Sequence, residues 1–276
     1  MELQKIVPQL TEHNIVLFGI SYDPVEVLAK FARKYEITFP LLSDQGSKVI
    51  RALGLLNEQV QEQHAAFGIP PNQKYYGVPY PGTFVLDETG TVTEKRFHQS
   101  YRSRDTGSGL LEAALGIASS QHGPEVISQN EAVQVRAYLD SPTYAFNQII
   151  HLVIELNVAS GLHVYGEPIP EGYVPLSVKV EPVEGLVVGK PKWPSPDRFT
   201  VAVINEEFWV YQGKVRGLLP LTFAMAPGRG EVVIRITVTY QTCSESTCFM
   251  PGSASLELPI KETELVETPE FLRPKQ

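Results

Sequence analysis

The chain has 276 residues, of which 43% are hydrophobic, enough to build two hydrophobic cores of ordinary domain size. Its formal net charge is −8, and its 23 lysines and arginines are scattered along the sequence. This pattern excludes a basic face for nucleic acid. No window approaches the roughly 20 apolar residues that a membrane-spanning helix needs, so we expect no direct membrane span in this chain.

The first part of the sequence predicts alternating helices and strands. Apolar residues recur at helical spacing near the start, and the run IVLFGIS at 15–21 is typical of a short buried strand. Residues 83–87 and 91–97 predict an antiparallel pair, because Gly90 supplies the backbone freedom that a tight turn needs. This order of elements predicts an α/β domain.

From about residue 121 the pattern changes to short strands separated by proline and glycine. The candidate strands are 132–139, 148–158, 176–183, 199–204 and 231–240. Such a series predicts an all-β sandwich. The resulting boundaries are 1–118 for the α/β domain, 119–125 for a linker, 126–262 for the sandwich and 263–276 for a charged tail.

The sequence contains two cysteines, Cys243 and Cys248, which are too few for a disulfide scaffold. The polar residues between them permit a turn that brings the two Cα atoms within about 7 Å, as a disulfide requires. Closing so short a loop stabilises a fold by only about 2 kcal/mol, so stability alone is a modest reason for the bond. The pair is either redox-active or a local staple. We expect no metal site and no cofactor, since structural zinc needs further ligands nearby.

Two segments of the first half carry a family pattern. They are VLFGISYDPVEVLAKFARKYEITFPLLSD at 16–44 and PGTFVLDETGTV at 81–92. The pattern resembles the peroxiredoxin and thiol-specific antioxidant (AhpC/TSA) branch of the thioredoxin superfamily. The resemblance implies a thioredoxin-like fold in which Pro81 is a cis-proline facing a redox cysteine, with Thr83 close by. The alternative is that Pro79 and Pro81 are ordinary loop residues.

The reactive cysteine of that family has no counterpart here, because no cysteine precedes Cys243. A thiolate is the nucleophile in peroxide reduction and in disulfide exchange, so this half cannot perform either reaction alone. The family's preceding central strand is absent as well. We therefore expect an incomplete thioredoxin-like domain, either in a fragment or behind a wrongly chosen start codon, or else a natural cysteine-free remnant.

Three segments of the second half carry another pattern. They are ASGLHVYGEPI at 159–169, EEFWVYQGKV at 206–215 and VTYQTCSESTCFMPGSASLELPI at 238–260. The pattern resembles the N-terminal periplasmic domain of the electron-transfer protein DsbD, an immunoglobulin-like sandwich with a cysteine pair. The resemblance implies that the pair receives electrons from a membrane-bound donor and passes them to client proteins. The spacing differs, since four residues separate the cysteines here and the family typically has five.

The same resemblance implies roles for single residues. Cys248 would form the mixed disulfide with a partner, and Cys243 would resolve it. Glu207, Phe208 and Trp209 would belong to a cap loop over the pair, with Phe208 as the shielding ring. The alternative is that the two aromatic residues belong to the sandwich core.

Two residues of the segment GLHVYG, His163 and Tyr165, would lie beside the cysteines. An imidazolium near a thiol lowers the thiol pKa. A single histidine on a strand is, however, more often exposed or hydrogen-bonded, and that is our expectation for His163.

Three functions remain as hypotheses. The first is a thiol–disulfide oxidoreductase component that exchanges electrons with partner proteins through the cysteine pair. The second is a peroxiredoxin-like or thioredoxin-like reductase whose cysteine lies upstream of the first residue. The third is a non-enzymatic binding protein with a structural disulfide. The redox chemistry predicts a periplasmic or other extracytoplasmic location, although the sequence as written carries no signal peptide.

Overall fold

A computed structural model describes residues 2–66, 68–70, 72, 76–98, 103–201, 206–225 and 228–263. The chain divides into two compact units, Met1–Ile117 and Ala118–Gln276. Over the described ranges, every helix is too short or too polar to cross a lipid bilayer.

The first unit alternates helices with short strands. Its elements are α1 (Glu2–Glu12), β1 (Gly19–Ser21), α2 (Val25–Lys34), β2 (Leu41–Ser43), α3 (Lys48–Ala52), α4 (Val60–Ala65), β3 (Gly82–Leu86), β4 (Val92–Phe97), β5 (Arg104–Asp105) and α5 (Gly107–Ala114). β1 and β2 pair in parallel, whereas β3 and β4 form an antiparallel hairpin. The predicted α/β class and the predicted strand pair are both confirmed.

A small apolar core joins α1 and α5 of this unit. Ile6 and Leu10 lie on one face of α1 because they are four residues apart, and both are almost fully buried. They pack against Leu111 of α5. The helical spacing in the sequence therefore identifies the buried face of α1.

In the described residues of the second unit, the regular elements are all strands. They are β6 (Val126–Gln129), β7 (Val133–Leu139), β8 (Thr143–Tyr144), β9 (Gln148–Val158), β10 (His163–Tyr165), β11 (Ser177–Val180), β12 (Leu186–Val188), β13 (Asp197–Val201), β14 (Glu206–Tyr211), β15 (Lys214–Phe223), β16 (Glu231–Tyr240), β17 (Thr242–Cys243) and β18 (Gly252–Glu262). The predicted all-β, immunoglobulin-like class is confirmed.

Two sheets enclose the main core of this unit. One has the strand order β12-β15-β9-β7-β6 and the other has the order β11-β16-β18-β8. Every second residue of β15 and β18 is buried, as expected for strands with one face on a core. A further sheet, with the order β13-β14-β10-β17, carries Cys243 at its edge. This smaller sheet positions the candidate site.

Candidate functional site

The two cysteines are joined by a disulfide at the end of β17. Their Cα atoms are 4.1 Å apart, and Cys243 and Cys248 form an isolated antiparallel bridge. Between them, the amide of Ser244 donates to the carbonyl of Thr247 at 2.8 Å. The polar residues of this segment therefore fold into a tight turn that brings the sulfurs together.

The side chain of Gln241 forms hydrogen bonds that hold the backbone at the C-terminal end of this turn. The Gln241 amide nitrogen donates to the carbonyl of Phe249 at 3.1 Å, and its carbonyl oxygen accepts from the amide of Val174 at 2.9 Å. The amide of Phe249 also donates to the carbonyl of Thr242 at 2.9 Å. The backbone beside Cys248 is thus held by hydrogen bonds on both sides. No sequence pattern predicted this role of Gln241, although the residue lies two positions before Cys243.

The two halves of the disulfide differ in exposure. Cys243 is only 1% exposed, whereas Cys248 is exposed to solvent. Two apolar residues that follow Cys248 are exposed as well, Phe249 to 48% and Met250 to 87%. Cys248 is therefore the half of the disulfide that lies at the surface.

One face of the smaller sheet lies against the buried cysteine. β10 pairs His163 with Cys243 and Tyr165 with Val210. Because alternate residues of a strand point to the same side, this register defines a set of side chains on a shared face. We call this set the cysteine face, and its members are His163, Tyr165, Phe199, Phe208, Val210 and Cys243.

Aromatic rings fill the cysteine face. The Tyr165 ring lies 5.2 Å from Phe208 and 5.1 Å from Tyr173, in tilted and edge-to-face arrangements that aromatic pairs favour. The Tyr165 hydroxyl lies 3.3 Å from the Sγ of Cys248. Burial raises the pKa of Tyr165 to about 12, so the phenol keeps its proton at neutral pH. Because a disulfide sulfur has no proton, the phenol is the donor in this contact.

His163 is buried next to Cys243 and differs from our expectation. Its side chain is 2% exposed, and its Nε2 atom has no hydrogen-bond partner among the described residues. The ring lies 4.5 Å from Phe199 and 5.5 Å from Tyr165. Burial lowers the pKa of His163. The expectation of an exposed or hydrogen-bonded histidine is therefore wrong, because pairing with β17 places the residue under aromatic rings.

The predicted cap segment is a strand rather than a loop. Phe208 lies inside β14, is 2% exposed and packs with Cys243 in one apolar cluster. Glu207 and Trp209 alternate with Phe208 and so lie on the opposite face of β14. There Arg198 lies 3.6 Å from Glu207 and 5.2 Å from the Trp209 ring. The loop assignment is wrong because β14 pairs with β13 over its first residues.

The thioredoxin-like residues Pro81 and Thr83 lie in the first unit. The cis peptide bond within the described residues is Glu167–Pro168, so the expected cis bond before Pro81 is wrong. The amide of Tyr80 donates to the carbonyl of Leu55 at 2.7 Å, which holds the chain extended as it enters β3. This extended path suits the ordinary trans form of the bond. Thr83 is half-buried within β3.

Comparison with known families identifies two segments of the chain. The AhpC/TSA family matches residues 1–95, and the family described as thiol:disulfide interchange protein DsbD, N-terminal, matches residues 125–259. Residues 1–95 are thus similar to the AhpC/TSA family, and residues 125–259 are similar to the DsbD N-terminal family. Both families are of the thiol–disulfide oxidoreductase type.

Individual relatives match one unit each. The peroxiredoxin candidate bcp of Coxiella burnetii is 33% identical over 85 residues, which are 31% of this chain and 50% of that protein. The chain spans about half the length of this curated relative. The N-terminal periplasmic domain of ScsB from Proteus mirabilis is 22% identical, with 51% of each chain covered and a TM-score of 0.37. The reduced DsbD N-terminal domain of Neisseria meningitidis is 16% identical, covering 51% of this chain and 86% of that one, with a TM-score of 0.30.

Proposed function

We propose that this protein exchanges electrons with partner thiols through the Cys243–Cys248 disulfide. The observation that carries this proposal is the asymmetry of the bond, with Cys243 1% exposed and Cys248 open to solvent. A bond that a partner must attack needs one accessible sulfur.

The exchange proceeds in two displacement steps. A partner thiolate attacks the exposed sulfur of Cys248, the disulfide breaks, and Cys243 leaves as a thiolate that takes up a proton. The mixed disulfide between the partner and Cys248 is then opened by a second partner thiolate. The partner dithiol is oxidised to a disulfide while Cys243 and Cys248 become two thiols. In the reverse direction Cys243 resolves the mixed disulfide.

The surroundings of the disulfide support this division of roles. Tyr165 holds the Cys248 sulfur through its hydroxyl, while Phe208 packs with Cys243 in the cysteine face. The exposed side chains of Phe249 and Met250 offer an apolar surface beside the sulfur that is attacked. Exposed apolar patches of this kind favour contact with another protein. Displacement of Phe208 by a partner stays a prediction.

The cellular setting is part of the same proposal. A disulfide that cycles with partner proteins suits the periplasm or another extracytoplasmic space, with a membrane-bound protein as one electron donor. The AhpC/TSA segment contains no cysteine in this sequence, so every thiol step is assigned to the second unit.

Two single-cysteine variants test the proposal in the full-length protein. In Cys243→Ser the exposed Cys248 thiol remains, and in Cys248→Ser the buried Cys243 thiol remains. With an aryl disulfide that releases a coloured thiolate, we expect Cys243→Ser to react about tenfold faster than Cys248→Ser. The reason is that a buried thiol is less accessible to the reagent than an exposed one.

The reduction potential of the wild-type bond completes this test. We expect a value above about −300 mV by equilibration with glutathione, since structural disulfides lie lower. Equal reactivity of the two thiols together with a potential below that value would show a structural staple instead.

A further inference from the structure

A buried histidine lies beside the sulfur that leaves when the disulfide opens. His163 is 2% exposed, and its Cα partner across the strands is Cys243. Directly opposed residues of an antiparallel pair have Cβ atoms about 5 Å apart and share a face of the sheet. The imidazole and the buried sulfur are therefore neighbours within the cysteine face.

The hydrogen bonding of this histidine is incomplete in the disulfide form. Its Nε2 atom is buried and has no partner among the described residues. A disulfide sulfur has no proton to donate and accepts only weakly, so it cannot donate to an unprotonated Nε2 and is a poor acceptor for a protonated one. A reduced Cys243 differs on both counts, because a thiol can donate and a thiolate can accept. A thiol at Cys243 would thus offer Nε2 the donor that the disulfide form lacks.

We propose that His163 is the hydrogen-bond partner of Cys243 in the reduced protein and takes its proton when Cys243 resolves a mixed disulfide. This inference rests on the exchange proposed above. It assigns His163 two measurable effects. The residue favours the reduced state, and it supplies the base that converts the buried thiol into a nucleophile.

The resolving step moves one proton and exchanges one sulfur–sulfur bond for another. The Cys243 thiol gives its proton to Nε2 of His163, and the resulting thiolate attacks the Cys248 sulfur of the mixed disulfide. The Cys243–Cys248 bond forms, and the bond between Cys248 and the partner breaks. The partner leaves as a thiolate and takes up the proton that His163 holds, so the imidazole returns to its neutral form. Burial lowers the pKa of His163, so its imidazole is neutral and ready to accept a proton at pH 7.

Other titratable groups near this face are not buried bases. Those beside the rings and in the turn after Cys243 are Tyr165, Tyr173, Asp197, Glu206 and Glu245. The three carboxylates are exposed to solvent, and burial keeps the Tyr165 phenol protonated. Within the described part of the cysteine face, His163 is therefore the buried group with an available basic nitrogen.

The first test measures the glutathione equilibrium of the full-length protein with His163→Phe. Phenylalanine keeps the contacts with Phe199 and Tyr165 and removes the acceptor. We expect the equilibrium to shift about tenfold toward the disulfide, the effect of one lost hydrogen bond, or about 30 mV more negative. The matched control is His64→Phe, which replaces a histidine buried in the first unit and should leave the potential unchanged.

The second test separates hydrogen bonding from proton transfer. His163→Gln restores a polar group without a titratable base, so its glutathione equilibrium should return toward the wild-type value. In a Cys248→Ser background, where Cys243 is the remaining thiol, alkylation rates are then measured against pH. We expect an inflection on the acidic side of the usual histidine range with His163 present, because burial lowers the pKa of this imidazole, and we expect its loss in both the Phe and Gln variants.

The outcomes separate this inference from the exchange on which it rests. An unchanged potential in His163→Phe would overturn the inference even if partner exchange at the disulfide is rapid. Equal shifts in the Phe and Gln variants with altered tryptophan fluorescence would also overturn it, because they indicate a role in packing. If instead His163→Phe shifts the glutathione equilibrium while the two single-cysteine variants react equally and the wild-type potential lies below about −300 mV, the proposed function fails. The hydrogen bond between His163 and reduced Cys243 then stands, without its role in partner exchange.

Discussion

Two apolar regions of the second unit are built from different side chains. The core between the two larger sheets is mostly valine, leucine and isoleucine from long strands such as β9, β15 and β16. The cysteine face is a small layer of aromatic rings around a histidine and a disulfide, supported by strands of two to six residues. Burial of apolar side chains is sufficient to form the first region. The second region also places two polar groups, the Tyr165 hydroxyl and the His163 imidazole, next to the cysteines.

This difference indicates that one region of the unit provides stability and the other surrounds the disulfide. Aliphatic side chains fill space without directional demands and stabilise the sandwich in proportion to the area they bury. Rings with a polar atom, such as Tyr165 and His163, also carry a group that interacts with a thiol or a disulfide. Substitutions in the first region should therefore change stability alone. Substitutions in the second should change stability and disulfide chemistry together.

The largest expected effect is in the main core. Phe223 is fully buried and stacks on Tyr144 at 4.7 Å. We expect Phe223→Ala to lower the free energy of unfolding by about 4 kcal/mol, because a cavity remains between the sheets. Both tryptophans, Trp193 and Trp209, lie in the second unit, so their fluorescence during a urea titration follows this unit within the full chain. If glutathione reduced the disulfide of the folded Phe223→Ala protein at a changed rate, the main core would affect disulfide chemistry as well as stability, contrary to this prediction.

A somewhat smaller loss is expected at the cysteine face. Phe208 is 2% exposed and touches Tyr165 and Tyr173, so Phe208→Ala should cost about 3 kcal/mol, the lower end for a buried phenylalanine in a small cluster. Unlike Phe223→Ala, it should also speed reduction by glutathione, because water and small thiols reach Cys243. A stability loss with no change in that rate would mark Phe208 as ordinary core.

Sequence patterns located much of this fold but missed several interior strands, among them β15 and β18. β9 and β16 have the bounds expected from their continuous or alternating apolar runs. β15 was not expected, because Gly217 and Pro220 interrupt its pattern. In the structure a Cβ at Gly217 would lie 2.2 Å from the Trp193 ring, so the glycine makes room for that ring. Tertiary packing of this kind outweighs local strand propensity and is not visible in one sequence.

The candidate site was predictable in part. The cysteine spacing indicated a turn that allows the disulfide, and the family resemblance indicated Tyr165 and Phe208 as its neighbours. The burial of His163 was not predictable, because it depends on the register between β10 and β17, which are eighty residues apart in the chain. Tyr173 was missed for a similar reason, since it precedes β11 and reaches the cysteine face only through the fold.

The smallest expected effect concerns a single hydroxyl group. Tyr165→Phe keeps the ring and removes the donor to Cys248, so near neutral pH it should lower the free energy of unfolding by about 1 kcal/mol, the usual net contribution of one hydrogen bond. The same loss should slightly alter the rate at which thiols attack Cys248.

Alkaline pH should reduce the difference in unfolding free energy between the wild-type protein and Tyr165→Phe. The folded-state pKa of Tyr165 is about 12, above the ordinary value of 10, so the folded protein holds this proton more tightly than the unfolded chain. The associated stability is fully present below pH 10 and is lost as the pH rises toward 12. Tyr165→Phe lacks this loss, whereas Tyr144 and Tyr211, whose pKa values are also raised, titrate in both proteins. Urea titrations at neutral pH and near pH 11 should therefore show the deficit of the variant shrinking. A constant deficit would mean that the Tyr165 hydroxyl is no more buried in the folded protein than in the unfolded chain.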